Sequence, residues 1–171
     1  EAGRRIAVIG VARNVGTTYT ALSLARALAA EGRKVVLADL ALLAPNLSIM
    51  SVDPQSPGFA ELARGTASFG DIITRDKFSR LHLIATGRVA GDAQSIVSSP
   101  RLVISLEALA RAYDHVVIDA GAIGDAALHP LARMAPRAML VATDLTDPAT
   151  ISARQQLLMA GFADVTLVQG M

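Results

Sequence analysis

Apolar residues in this chain gather into short, almost unbroken runs instead of alternating with polar ones. Six such runs, rich in Val, Ile and Leu, fall at residues 5–11, 34–40, 81–86, 115–119, 138–143 and 165–168. A strand that is apolar on both faces has to be covered on both, which is the pattern of a parallel sheet lying between helices. Between the runs, apolar positions recur at helical spacing over 18–30, 57–64, 69–75, 100–112, 125–134 and 148–160. This alternation predicts an α/β fold: a doubly wound, mainly parallel sheet of about six or more strands, with helices on both faces and right-handed crossovers. Local chemistry agrees at several boundaries. Gly32 and Gly161 stand where helices should close, and Pro100 after Ser99 where one should open. The longest irregular stretch, 41–58, contains Pro45, Pro54 and Pro57, and long loops of this kind often belong to a site.

Composition narrows the picture. With 171 residues and 52% apolar content, the chain fits one domain spanning 1–171 around one core. A formal charge of +1 gives no field suited to nucleic acid or to anionic lipid, and nucleic acid is not an expected partner. The absence of cysteine removes disulfides, thiolate metal sites and thiol catalysis. No apolar run approaches the roughly 20 residues that span a bilayer. The opening Glu1-Ala-Gly-Arg-Arg has neither Met nor the apolar stretch of a leader, so the chain reads as a piece of a larger protein whose membrane spans lie outside it. The dispersed His82, His115 and His129 do not pattern as a metal site. Ser95, Ser98 and Ser99 read as caps before Pro100, and Met134, Met139 and Met159 as core.

The chemistry is concentrated after the first strand, where the chain reads Gly10-Val-Ala-Arg13-Asn14-Val15-Gly16-Thr17-Thr18 and enters a helix. In the phosphate loop G-x-x-x-x-G-K-[ST], backbone amides and the helix N-terminus cradle phosphate oxygens. The lysine neutralises the outer phosphates and the hydroxyl ligates magnesium. Here Gly16 and Thr18 match, Thr17 replaces the lysine, and Val11 replaces the first glycine. Arg13, Asn14, Val15, Gly16, Thr17 and Thr18 are therefore the candidate phosphate-binding residues, with Arg13 the one loop cation able to replace part of the lost charge. A charge-assisted hydrogen bond is worth about 1.5–3 kcal/mol, so the missing lysine should weaken nucleotide binding roughly 10- to 100-fold. Losing one donor to developing phosphoryl charge should slow transfer by about 10²- to 10³-fold. The same residues would also serve as a plain tight turn with a threonine cap.

Two predicted strands end in acids, Asp39 and Asp119. Carboxylates at that sheet edge can hold magnesium or orient water near a phosphate, so Asp39 and Asp119 are candidate catalytic residues and, with Thr18, candidate magnesium ligands. A helix cap or an ordinary polar strand end is the plainer alternative for either.

Taken together, the loop at 10–18, Asp39 with Pro45, Pro57-Gly-Phe-Ala-Glu-Leu-Ala-Arg-Gly65, Leu81 to Arg88, Ser99-Pro-Arg-Leu102 and Ala112 to Asp119 resemble the deviant Walker group of P-loop ATPases, the ParA and MinD relatives. Within that group they are most similar to the cytoplasmic domain of the Wzc-type bacterial tyrosine kinases, the polysaccharide co-polymerases of exopolysaccharide export. The resemblance implies an ATP-dependent protein tyrosine kinase using ATP or ADP with Mg, on the cytoplasmic face of the bacterial inner membrane. Its implied partners are other copies of the chain or other components of a polysaccharide export assembly, with the membrane reached through segments outside this chain. The chain departs from the family at one place: Thr17 for the loop lysine, Ala12 for the MinD signature lysine, Ala41 for the second acid of Asp-x-Asp, and Leu43 and Ala44 for the usual arginines. The expectation is a pseudo-enzyme with docking and assembly duties, weak or absent ATP turnover, and a loop still able to take phosphate or sulfate. Two rival readings are an active kinase or ATPase with a compensating basic residue, and a localisation or partitioning relative of the CpaE and MinD kind.

Overall fold

The structure is a computed structural model, described here over residues 4–45 and 47–170. Glu1 to Gly3, Asn46 and Met171 lie outside the described residues, and with them most of the N-terminal stretch read as lacking a leader.

Seven strands form one sheet: β1 (Arg5–Gly10), β2 (Val35–Asp39), β3 (Ile73–Arg75), β4 (His82–Ile84), β5 (His115–Ala122), β6 (Arg137–Ala142) and β7 (Asp164–Gln169). Their order is β3-β4-β2-β5-β1-β6-β7. Every neighbouring pair is parallel except the edge pair β3 and β4. Strand addition reverses direction about β1: the chain passes from β1 across to β2 on one side, and later from β5 over β1 to β6 on the other. A crevice opens at such a reversal beyond the strand C-termini, and the loop after β1 runs into it.

Six helices cover the sheet: α1 (Thr17–Ala30), α2 (Phe59–Arg64), α3 (Ala93–Val97), α4 (Pro100–Ala112), α5 (Leu128–Met134) and α6 (Pro148–Ala160). The coverage is lopsided. On one face α1 packs Ala21, Leu22, Ala25 and Ala29 against Val8, Leu37 and Val117. Three of those four helix residues are alanines, so the helix sits close to the strands, and Leu47 and Met50 extend its cover towards Leu81 and Leu83. The other face carries the larger core, with Ala7, Ile9, Val36, Ile118 and Leu140 under residues of α2 through α6.

Several sequence expectations shift. Residues 69–75 do not form a helix: a 3-10 turn over Gly70–Ile72 leads into β3, whose Ile73, Thr74 and Arg75 pair with β4. β-branched residues and the flanking Gly70 favour extension once a partner strand is present. The short α3 lies where no element was expected, so Ser95 is inside a helix and Ser98 is its C-cap; Ser99 alone precedes Pro100 as an N-cap, without a side-chain cap bond. α5 starts at Leu128, after a 3-10 turn over Ile123–Asp125. Pro130 has no N–H, so it is tolerated only in the first turn of a helix. Met134 is buried, whereas Met159, expected in the core, is 78% exposed. Among the described residues no helix is long and apolar enough to cross a membrane.

Candidate functional site

The site is built around the loop between β1 and α1. Gly10 ends β1 so close to the loop that a methyl group there would overlap the Thr17 hydroxyl and crowd the Ala12 carbonyl. Thr17 thus folds its side chain back against Gly10, inside the loop. Asn14 and Gly16 are both left-handed, at φ 61 and φ 87, which turns the chain sharply into α1. Val15 is buried beneath them and anchors the loop to the core. Gly16 is the N-cap of α1, and no side chain caps this end. Its carbonyl receives the Thr20 amide at 2.9 Å. The amides of the first turn therefore face outward at the positive end of a 14-residue helix.

Asp39 and Asp119 are paired across neighbouring strands β2 and β5, and both are completely buried. Their engagements differ. Asp119 accepts the Thr18 hydroxyl on Oδ2 at 2.7 Å and the Gly121 amide on Oδ1 at 3.1 Å. Among the described residues this contact joins the loop to β5, and it brings two of the three candidate magnesium ligands, Thr18 and Asp119, within reach of each other. Burial pushes the Asp119 carboxyl above the ordinary range, and the bonds from Thr18 and Gly121 only partly offset this. Asp39 turns into the following loop, taking the Ala41 amide on Oδ1 at 3.0 Å and the Leu47 amide on Oδ2 at 3.3 Å. Its carboxylate thus holds the chain at Ala41 and at Leu47.

A bulge shapes the floor. Val8 pairs with Asp119 and Ile9 with Gly121, so Ala120 is an extra residue in β5, and Gly121 adopts φ 72. A methyl on Gly121 would press on Ala41. Above the loop lies a cavity of about 280 Å³ lined by residues of the loop from Ala12 to Tyr19, Ala41 to Ala44, Ala120 to Ala122 and Asp125. Small and apolar side chains dominate it, and Tyr19 and Leu43, each 59% exposed, stand at its rim.

Arg13 does not bend over the loop. Its guanidinium makes two bonds to Asp125, at 2.7 and 2.9 Å. That hydrogen-bonded pairing holds Asp125 below the usual carboxylate range and raises Arg13. Neither Asp125 nor Tyr19 was singled out from sequence: a partner 112 residues away leaves no local signal, and an aromatic one position past Thr18 reads as helix surface. Of the predicted site residues, Arg13, Asn14, Gly16, Thr17 and Thr18 line one crevice, Val15 is buried beneath it, Asp119 is tied to it through Thr18, and Asp39 is on the neighbouring strand. Among the described residues no group of three or more His, Asp or Glu is arranged to hold a metal. A magnesium ion here would rest on Thr18 and Asp119, with water and phosphate completing its shell.

No protein-family model matches the chain. By sequence it is 30% identical to the tyrosine-protein kinase ptk of Acinetobacter johnsonii over 115 residues, covering 67% of this chain and 16% of that protein. It is 28% identical to the tyrosine-protein kinase CpsD of Streptococcus agalactiae over 123 residues, covering 70% of this chain and 52% of that one. It is 29% identical to the succinoglycan biosynthesis transport protein ExoP of Rhizobium meliloti, covering 70% of this chain and 16% of that protein. The chain therefore spans from about a sixth to about half of the length of these relatives. Among solved structures, the BceF tyrosine kinase domain superposes with a TM-score of 0.82 at 25% identity, over 98% of this chain and 69% of that one. The kinase domain of the Escherichia coli tyrosine kinase ETK gives 0.88 at 20%, over 99% and 68%. The Pyrococcus furiosus cell division ATPase MinD gives 0.74 at 22%, over 98% and 71%. The homologues of this chain are bacterial tyrosine kinases, and its fold is the one shared by the solved tyrosine kinase domains and by the P-loop ATPases MinD and ParA.

Proposed function

We propose that this chain is the kinase-like cytoplasmic domain of an exopolysaccharide or capsule export protein, working as a docking and assembly module with weak or absent nucleotide turnover. The observation that carries this reading is the state of the loop site. The Thr18–Asp119 contact is kept, while Thr17 folds into the loop, Arg13 is held by Asp125, and Ala12, Ala41, Leu43 and Ala44 line the cavity where the family places charge. The amides at the start of α1 and its dipole still favour an anion such as phosphate or sulfate. The partners are other copies of the chain or other components of the export assembly, at the cytoplasmic face of the inner membrane, with the membrane reached through segments beyond this chain.

Titrating ATP and ADP by calorimetry, with and without magnesium, tests the reading. The wild-type chain should bind MgATP about 10- to 100-fold more weakly than the Thr17→Lys variant, the range set by restoring one charge-assisted contact. Tight wild-type binding that Thr17→Lys leaves unchanged would overturn it.

A further inference from the structure

The edge of the sheet opposite the loop gathers cations. Arg4 and Arg5 open β1, Arg33 and Lys34 precede β2, Arg80 precedes β4, and Arg75 ends the antiparallel β3 beside His82. Across the whole chain 16 basic residues face 15 acidic ones, so this concentration reflects segregation and not a basic composition. Few acids answer it locally. Glu31 lies 3.3 Å from Arg33 at an exposed position. Asp114 accepts the Lys34 backbone amide at 2.8 Å. Asp76 is buried and bound to Arg26.

A cleft of about 190 Å³ opens among these cations, lined by Gly32, Arg33, Lys34, Val35, Arg80 and His82. Arg80 is exposed and makes no ion pair or hydrogen bond among the described residues. The Lys34 ammonium sits 5.2 Å above the Tyr113 ring and makes no ion pair among the described residues, and that tyrosine is bonded to His82. The Nε of Arg5 and the Nδ1 of His115 are buried without a partner. Both histidines register the surplus charge: beyond burial, Lys34 and Arg75 lower the pKa of His82, while Arg33 and Arg4 lower that of His115 against the opposing pull of Asp114 and Glu31.

We propose that this edge is a second anion site, one that takes a phosphoryl group between Arg33, Lys34 and Arg80. Arg33, Lys34 and Arg80 all line this small open cleft, Arg33 while also contacting Glu31 and the His115 ring, and guanidinium and ammonium donors suit the tetrahedral oxygens of a phosphate, which accept paired N–H donors. β1 is six residues long, so the cleft lies about 20 Å from the loop, at the other end of the strands. The site is thus independent of the nucleotide question. The phosphoryl group belongs either to a lipid headgroup or to a soluble phosphate ester, which share this chemistry.

Two arms separate the sources: sedimentation with phosphatidylcholine vesicles with and without phosphatidylglycerol, and calorimetric titration with inorganic pyrophosphate. Arg33→Glu combined with Arg80→Glu, both at exposed positions, should weaken binding by about tenfold or more, at roughly fivefold per cation. Arg80→Gln should give an intermediate loss. The control is Arg101→Glu with Arg154→Glu, which changes net charge equally at exposed sites away from the cleft. A pyrophosphate site that the edge variant weakens by that factor, counted apart from any anion taken at the loop, assigns a soluble ester, and vesicle binding alone assigns a headgroup. The proposal fails if neither arm shows binding, if the control loses as much as the edge variant, or if the edge variant keeps the wild-type affinity and stoichiometry.

Discussion

Asp119 shows how a residue can be kept at a cost to the fold. It is completely buried, and its carboxyl titrates above the ordinary range because the ionised form has lost its water. The folded chain holds that proton more tightly than the unfolded one does. Stability therefore declines as pH rises from the unfolded value of about 3.9 through the raised folded value. Asp119→Asn retains the shape, can accept the Gly121 amide and can donate to the Thr18 hydroxyl. It should stabilise the chain at pH 7 by on the order of 1 kcal/mol, the size of gain expected from removing one desolvated charge. Thermal melts at several pH values should show the gain vanishing below about pH 3. Thr18 and Asp119 were legible in sequence because each sits at a fixed offset from a strand end. The orientation of Asp39 was not, since it depends on the Leu47 amide arriving from a loop eight residues on. Arg13 was ambiguous for the same reason: a loop arginine declares no partner until the 3-10 turn at Asp125 is placed beside it.

At the scale of elements, α1 is fastened to the β3–β4 hairpin by one ion pair. Arg26 reaches from the helix to the turn after β3 and makes two bonds to Asp76, at 2.8 and 2.9 Å, while its guanidinium stacks 5.4 Å from the Phe78 ring. Burial alone would raise the Asp76 carboxyl, but Arg26 and the Ser79 hydroxyl outweigh burial and hold it below its ordinary value. Arg26→Met would leave this acid buried without its cation. The loss should be about 2 kcal/mol at pH 7, short of the roughly 3–5 kcal/mol of a fully buried pair, because the Arg26 side chain is 30% exposed. The pair stabilises above the unfolded pKa and loses its effect as pH falls through the depressed one, so urea melts should find the deficit shrinking below about pH 4. This hairpin is also where element prediction failed. Phe69, Ile72 and Ile73 lie at helical spacing, and nothing local announces that β4 will pair with the second half of the segment. The long runs that became β1, β2 and β5 were readable because burial on both faces leaves few polar positions.

The whole molecule has a buried centre and a thin periphery. β1 and β5 share the middle of the sheet, flanked on both sides and covered on both faces, whereas β3 is a three-residue edge strand. Native-state hydrogen exchange should find the amides of β1 and β5 slowest, near the limit set by global unfolding, and those of β3 fastest. Equal protection across the sheet would contradict this. The interposed strand order also governs how the chain can come into being. β1 leaves a ribosome before either of its neighbours, β5 and β6, which lie more than 100 residues further along the chain. At about 5–20 residues per second, the strand that carries the loop waits on the order of 5 to 20 seconds for its first partner. During that time its bare apolar ribbon must be shielded by chaperones or by a transient neighbour.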